Sequence, residues 1–390
     1  MQRTFCPYRI CPLGAHTDHQ YGCVTGFAID KGIYITYRPT KGITCLSSKN
    51  FPGVSYFGFS SISDRQKDWG DYIRGATIVL QKKHPLTYGI EGTIEGELPV
   101  GGLSSSAAVC IAYLSALAEV NEIYLPAETL IDYALNTEND YVGVNCGKLD
   151  QSCEVYSRAN HLLFLDIREN SYVLMPQHVN MRPYEIAIFF SGLERSLGGT
   201  AYNMRVDELK SSAYALMAYA GMKYGSFSDA RLRDVPRAVF DEYKDRLPEN
   251  WRRRATHYYT EQERVQKGVE AWRSGDILKF GQYIFESGYS SIFTYETGSP
   301  QLKRLYEIMT DTTGIYGGRF SGAGFKGCCM AMIDPLYRDS IKDKVTEGYL
   351  RTFPEMEGKF SVHFCKTADG VAYQNVAFTA TSSHLKEVTL

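Results

Sequence analysis

The feature that most constrains this chain is the run 97–109, E-L-P-V-G-G-L-S-S-S-A-A-V. Two glycines, a leucine and three consecutive serines lead straight into the apolar, alanine-rich segment 107–120, which has the composition of a buried helix. The glycines and serines therefore stand at a helix N-terminus, where unpaired N–H groups and the positive end of the helix dipole favour an anion such as phosphate. Gly101 and Gly102 let the backbone approach that anion, and Ser104, Ser105 and Ser106 offer hydroxyls to phosphate oxygens or a metal. An ordinary serine-capped helix is the plain alternative, but one serine makes a cap and three after a double glycine exceed that need. No lysine follows in the place a Walker A loop requires.

Length and composition bound what surrounds this loop. A chain of 390 residues is long for one core, so two domains sharing a cleft are expected. Hydrophobic residues at 44% and charged residues at 22% are those of a soluble globular protein. A formal net charge of −2 argues against a general binder of nucleic acid or anionic membrane. No apolar run nears the ~20 residues that span a bilayer, and the N-terminus M-Q-R-T-F lacks the apolar core of a signal peptide. Ten cysteines without a C-x-x-C pair fit reduced, mostly buried thiols and a cytoplasmic location.

Residues 6–22 read C-P-Y-R-I-C-P-L-G-A-H-T-D-H-Q-Y-G, where Pro7 and Pro12 exclude a helix interior and leave a strand and a loop. Arg9, His16, Asp18 and His19 gather useful chemistry there. Asp accepts paired hydroxyls and His donates or accepts, which suits a sugar. A metal site of His16, Asp18 and His19 would need a further anchor, and none is evident. Strands are expected at 27–38, 43–47 and 93–98, the last leading into the glycine–serine loop. Tyr72, Ile73, Ala76, Val79 and Leu80 give a helix over 69–82.

Pro126 opens a helix that runs through Glu138 and ends near Tyr141. A second loop, 142–151, reads V-G-V-N-C-G-K-L-D-Q, so Glu138 and Asp150 are two acids flanking a glycine-containing turn; each alone could be a solvated surface charge. Strands at 162–166 and 184–191 bracket the domain boundary, drawn between 178 and 179, with polar connections at 168–172 and 176–183. Helices follow at 202–219, 237–246, 254–274, 277–287 and 300–310. A second glycine-rich loop, 317–327, feeds a strand at 328–333, and a helix at 337–351, a strand at 359–364 and a polar tail beyond 377 complete the chain.

Three stretches, in order, resemble the three motifs of the GHMP kinases, the superfamily of galactokinase, homoserine kinase, mevalonate kinase and phosphomevalonate kinase. They are the N-terminal loop ending H-T-D, the helix start G-L-S-S-S-A-A and the late loop G-R-F-S-G-A-G-F-K-G. The galactokinase signature G-R-x-N-L-I-G-E-H-T-D-Y is matched here by Y-R-I-C-P-L-G-A-H-T-D-H. The resemblance extends to W-G-D-Y-I-R-G at 69–75, C-G-K-L-D-Q at 146–151 and R-A-T-H at 254–257, and so covers nearly the whole chain. Departures are specific: Ala15 stands for the signature Glu, His19 for the Tyr, Cys11-Pro12-Leu13 for Asn-Leu-Ile, and Lys326 for a glycine of the third motif. With G-A-G-F-K-G-C-C, these features resemble the galacturonokinases.

The resemblance implies an α+β, two-domain GHMP kinase fold. A ribosomal protein S5 domain 2-like N-terminal domain (1–178) and a ferredoxin-like C-terminal domain (179–390) would share the active site in their cleft. It implies ATP as co-substrate, with phosphates on Gly101, Gly102, Leu103, Ser104, Ser105, Ser106 and Ala107 and the late loop closing over them at Gly322 and Gly324. Mg2+ would be held by Ser106 and Glu138. Asp150 would take or orient the proton of a sugar's anomeric hydroxyl, with Arg9 beside it. Ala15, His16, Asp18, His19, Gly147, Tyr202 and Lys326 would face the sugar, while Trp69 either lines an adenine pocket or packs in the core. The implied partners are ATP and a monosaccharide or uronic acid, for a monomer or weak homodimer with neither nucleic acid nor membrane.

Ala15 bears on the sugar. In galactokinases the signature Glu meets the sugar's C6 hydroxyl, and a C6 carboxylate there would face a like charge. Two such charges ~4 Å apart at an effective dielectric near 20 repel by roughly 4 kcal/mol, about a thousandfold in affinity. Ala15 removes that repulsion and points to a hexuronic acid, D-galacturonate first, with Lys326, His19 and Arg205 as unranked partners for its carboxylate. Galactose or a pentose is the alternative if Ala15 only resizes the pocket. A non-catalytic sugar- and ATP-binding regulator is the alternative of another class, opposed by the presence of Arg9, the triple serine, Glu138 and Asp150.

Overall fold

β1 (Gln2–Ile10) and the long β2 (Cys23–Lys41) pair antiparallel, and alternate residues Ile33, Ile35 and Tyr37 of β2 are buried on one face. β3 (Ile43–Ser48), β4 (Val54–Gly58) and, after α1 (Asp71–Gln81), β5 (Tyr88–Gly96) extend this sheet. α2 (Ser105–Val120) is buried almost throughout from Ala107 to Ala118. It packs on β1, β2 and β5 and against α1, α3 (Ala127–Asn136) and α4 (Leu149–Tyr156). β6 (His161–Asp166) and β7 (Ser171–Pro176) form a hairpin at the edge. The strand order is β4-β3-β5-β2-β6-β7, with β1 also on β2; among the described residues, β3–β5 is the one parallel pair.

The second half adds β8 (Glu185–Phe190), α5 (Thr200–Tyr219), α6 (Arg237–Tyr243), α7 (Glu249–Arg273), α8 (Ile277–Phe293) and α9 (Pro300–Thr310). β9 (Ile315–Phe320), β10 (Cys328–Ile333), α10 (Arg338–Thr352) and β11 (Ser361–Cys365) follow, and β11-β8-β10-β9 is a four-stranded antiparallel sheet. β12 (Thr367–Ala368) then returns to β2, pairing at Ala28 and Ile29. One hydrophobic cluster joins the halves, with Phe27, Ile111 and Leu117 packed in the same core as Ile188, Trp272, Phe280 and Met330. The cleft between the halves is thus set by a shared core rather than by a linker.

The computed structural model describes residues 1–193 and 200–371, with Thr200 and Ala201 as backbone only, so the tail beyond 377 lies outside the described residues. No helix among them is long and apolar enough to cross a membrane. Local structure departs from the sequence expectations in several places. The polar turn expected at 168–172 closes by Asn170, and Ser171–Pro176 is β7, paired with β6. Residues 317–320 belong to β9 rather than to a loop, because α8 lies directly on the strand and a side chain at Gly281 would sit 2.0 Å from the Tyr316 carbonyl. The helix expected through Glu138 ends at Asn136 and widens into a π-type turn, Thr137–Val142. The second loop ends early, since Leu149 already opens α4.

Candidate active site

Asp150 stands in the first turn of α4, where the helix dipole favours a carboxylate. Its helix is pressed onto β2, since a side chain at Gly26 would lie 1.8 Å from Cys153 Sγ. Arg9, near the end of β1, reaches across: Nε donates to Asp150 Oδ1 at 2.7 Å, Nη2 lies 2.7 Å from the same oxygen, and Nη1 donates to the Gly102 carbonyl at 3.0 Å. Both guanidinium contacts fall on Oδ1, which leaves Oδ2 outside Arg9's grip. Burial opposes the charge on Arg9, and the Asp150 carboxylate outweighs it, so the guanidinium is held above its ordinary range.

The glycine–serine loop begins where Arg9 ends. Gly101 (φ 136°) and Gly102 (φ 86°) adopt backbone angles that favour glycine, and Gly101 leaves no room for a side chain, whose Cβ would stand 2.9 Å from Gly327 Cα. Gly102 and Gly322 approach equally closely, so the two glycine loops meet backbone to backbone across the cleft. Ser104 (φ 62°) heads α2 without capping it, and its Oγ is buried with no partner. Glu138, 4% exposed on its π-type turn, accepts a 2.5 Å hydrogen bond from Gln151 Nε2 on α4, which fixes the carboxylate's orientation.

The N-terminal loop around Gly14–Gln20 is held from the second half. Glu261 Oε1 on α7 accepts from Gly14 N at 2.8 Å and from Ser287 Oγ at 2.6 Å. His257 Nε2 lies 3.0 Å from the Ala15 carbonyl and Nδ1 2.9 Å from Ser290 Oγ, so Nε2 carries the proton and Nδ1 accepts. Gln262 donates to Thr17 Oγ1 and accepts from Cys23 N. His16 stacks on Tyr295 with centroids 4.6 Å apart, and its Nε2 is buried without a partner. Burial first, then Arg319 and His257, push His16 well below its ordinary value, so the ring is neutral. Burial and then the Asp150 charge raise Asp18 to about 6. Burial would raise Glu261, but Arg264, His257 and Arg319 bring it down to about 2.

These elements enclose two cavities. One, of about 650 Å³, is lined by Trp69, Pro99, Val100, Ser105 and Val109 among others. The other, of about 270 Å³, is lined by Arg9, Ala15, His16, Asp18, Glu138, Asp150, Tyr202, Gly322 and Lys326. Tyr72 and Ser106 line both, so the cavities meet at the start of α2, beside the Arg9–Asp150 pair. A group spanning the junction would lie between helix-start N–H donors and a carboxylate.

Comparison with known proteins decides the family. Residues 71–158 match the GHMP kinases N terminal domain and residues 268–350 the GHMP kinases C terminal domain. The chain is 38% identical to a galacturonokinase of Arabidopsis thaliana over 389 residues, covering 93% of this chain and 91% of that protein. It is 30% identical to a galactokinase of Roseiflexus sp. over 369 residues, 94% of this chain and 91% of that one. The crystal structure of Lactococcus lactis galactokinase complexed with galactose superposes with a TM-score of 0.86 at 28% identity, covering 96% of this chain and 95% of that one. The chain belongs to the GHMP kinases. It has their two-domain fold of mixed α and β structure.

Within this GHMP kinase, the sequence-derived residues fall into three groups. Arg9, Ala15, His16, Asp18, Gly101, Gly102, Ser104, Ser106, Glu138, Asp150, Tyr202, Gly322 and Lys326 line the smaller cavity together. Trp69, Ser105 and Ser106 line the larger one, with Trp69 Nε1 donating to the Pro52 carbonyl at 3.0 Å. The rest stand behind the walls. His19 is buried edge-on to Tyr202, centroids 6.0 Å apart, and burial, then Arg231 and Lys210, lower it to about 3. Gly147 backs directly onto the Asp18 carboxylate, Leu103 and Ala107 are buried at the head of α2, and Gly324 packs over the Phe320 ring. The sequence motifs include neither Glu261, Gln262 nor Arg65, and hold His257 only as the last residue of R-A-T-H. The signal for the α7 residues is the spacing 257, 261, which sets two polar side chains among the buried Tyr258, Val265, Val269 and Trp272 of the same helix, with Gln262 beside them.

Proposed function

We propose that this GHMP kinase transfers the γ-phosphoryl group of ATP to the anomeric oxygen of a hexuronic acid, D-galacturonate, giving the sugar 1-phosphate and ADP. It would work in the cytoplasm as a monomer or weak homodimer, with residues 1–178 and 179–390 as the two walls of the site. The observation that carries the reading is the Arg9–Asp150 pair in the smaller cavity, next to its junction with the larger one, with Ala15 on the same wall. The larger cavity suits the nucleotide, with Trp69 toward the base and the start of α2 toward the phosphates. The smaller suits the sugar, whose hydroxyls meet Asp18 and His16.

Phosphoryl transfer asks mainly for positioning and charge stabilisation. The anomeric oxygen attacks the γ-phosphorus, the bond to the β–γ bridging oxygen breaks, and the hydroxyl proton passes to Asp150 Oδ2, the oxygen Arg9 leaves open. Arg9, anchored on Gly102, holds the Asp150 carboxylate in place beside the nucleophile and faces the charge that develops on the transferred group. The donor set also fits Mg2+: a buried carboxylate, Glu138, and a hydroxyl, Ser106, line one wall, as suits a hard cation that keeps several waters. When bound, the ion would supply neutralisation of phosphate charge.

The test is kcat/KM, from ADP release, for galacturonate, galactose, glucuronate and arabinose in the parent and in Ala15→Glu. The parent should prefer galacturonate, and Ala15→Glu should lower its use by about a thousandfold while raising that of galactose. A parent that prefers galactose would overturn the uronate assignment and leave the kinase standing. Sugar binding without ADP release from any substrate would favour a regulator.

A further inference from the structure

Arg65 belongs to none of the sequence motifs, and the site described so far gives it no role. It lies on the segment between β4 and α1, which the rest of the protein holds firmly. The Asp71 carboxylate, 2% exposed, accepts the backbone N–H of Gln66 at 2.9 Å and of Lys67 at 2.6 Å, and also binds the Arg74 guanidinium at 2.7 Å. Tyr141 donates its hydroxyl to the Ser63 carbonyl at 2.8 Å. Asp71 is thus already engaged by three donors, and Arg65 Nε stands 3.9 Å from its Oδ2, beyond hydrogen-bond reach. The segment fixes Arg65 in place without consuming its donors.

The guanidinium faces the smaller cavity. Arg65 lines it together with Tyr72, Ser106 and Glu138, and a side chain built on Gly143 would meet Arg65 Nη1 at 3.1 Å. Gly143 N in turn donates to the Glu138 carbonyl, so Arg65 hangs over the turn that presents Glu138. Tyr72 and Ser106 mark the junction of the cavities, where the terminal phosphate has to pass from nucleotide to sugar. Arg9 is only 6% exposed in its side chain and tied to Asp150 and Gly102, whereas Arg65 is 44% exposed. A planar guanidinium with open donors is the group best shaped to take two phosphate oxygens at once.

We propose that Arg65 binds the terminal phosphate of the nucleotide from the mouth of the sugar cavity, a second arginine at the transferred group opposite Arg9. The proposal rests on the kinase reading above, but its test does not need turnover. The bland account, a solvated arginine loosely attracted to Asp71, predicts no discrimination between nucleotides.

The experiment is calorimetric titration of ATP and of ADP, each with Mg2+, into the parent, Arg65→Gln and Arg65→Lys. Arg65→Gln should weaken ATP by on the order of 10–100-fold and leave ADP within about twofold, the loss of one charged hydrogen-bonding partner of the γ-phosphate. Arg65→Lys should recover part of the ATP affinity, because it keeps the charge and loses the fork. Parental ATP affinity in Arg65→Gln, or equal losses for ATP and ADP, would overturn the proposal. So would a rise in KM for galacturonate but not galactose with ATP binding unchanged, which would assign Arg65 to the sugar's carboxylate. A parent that binds ATP over ADP but phosphorylates no sugar would sink the kinase reading and leave this one intact.

Discussion

The proposed phosphate loop, 101–106, and the proposed sugar loop, 14–20, approach the Arg9–Asp150 pair from two sides and are held by different forces. The phosphate loop is shaped by backbone against backbone: Gly101 on Gly327, Gly102 on Gly322, with Arg9 anchored on the Gly102 carbonyl. The sugar loop is shaped by side chains of one distant helix: Glu261 on Gly14, His257 on Ala15, Gln262 on Thr17 and Cys23. A loop held by its own glycines admits no substitution at the contact. A loop held through its main-chain atoms from behind can change the side chains it presents, as Ala15 and His19 illustrate, without losing its shape. The fixed loop can therefore carry the common phosphate chemistry, and the loop with replaceable side chains the choice of sugar.

Substitutions in and beside the two loops test this difference. The largest effect is expected at the pair both loops serve. Asp150→Asn should keep the fold, because Asn still offers an oxygen to Arg9, and should lower kcat by ~10²–10⁴-fold, the usual loss for a general base or orienting group. A variant with near-ultraviolet circular dichroism like the parent's and more than half its rate would remove Asp150 from the mechanism.

Next comes the backbone-held loop. Gly101→Ala forces a side chain into φ 136° and to 2.9 Å from Gly327 Cα. Backbone strain of this kind costs ~1–3 kcal/mol, so Mg·ATP affinity should fall on the order of 5–150-fold while galacturonate affinity holds. Parental nucleotide affinity would show that the loop is not shaped by glycine contacts.

The smallest effect belongs to the side-chain-held loop. Burial lowers His257 from 6.5 to about 4, opposed by Glu261 and the Ala15 carbonyl. Between those values the unfolded chain binds a proton that the folded one does not. This contribution is therefore intact above about 6.5 and is lost as pH falls toward about 4, at most roughly 3 kcal/mol. His257→Gln keeps an N–H for Ala15 and removes the titration, so unfolding free energy from urea melts should fall less steeply over that range. A slope equal to the parent's would deny His257 this role.

The same contrast explains what the sequence disclosed. The glycine–serine loop, Arg9, Glu138 and Asp150 stand out in the sequence because short contiguous motifs carry them, and the structure brings them to one cavity. The buttress on α7 was not, since His257 and Ala15 lie 242 positions apart and no spacing rule joins them. β9 was hidden because G-G-R-F reads as a loop when its glycines serve close packing against α8. β7 was hidden because the polar turn before it drew attention from the alternation of Val173 and Met175. His19 was expected in contact with sugar, yet the structure packs it behind Tyr202, a difference of orientation that residue type cannot convey.

On the proposed function, the carboxylate beside Arg9 addresses the anomeric hydroxyl of a sugar acid. The most direct measurement is phosphorus and proton NMR of the product formed from ATP and galacturonate. A phosphate doublet coupled to the anomeric proton, with ADP in equal amount, is the predicted result. Phosphate on any other hydroxyl, or ADP and inorganic phosphate with unchanged sugar, would contradict it.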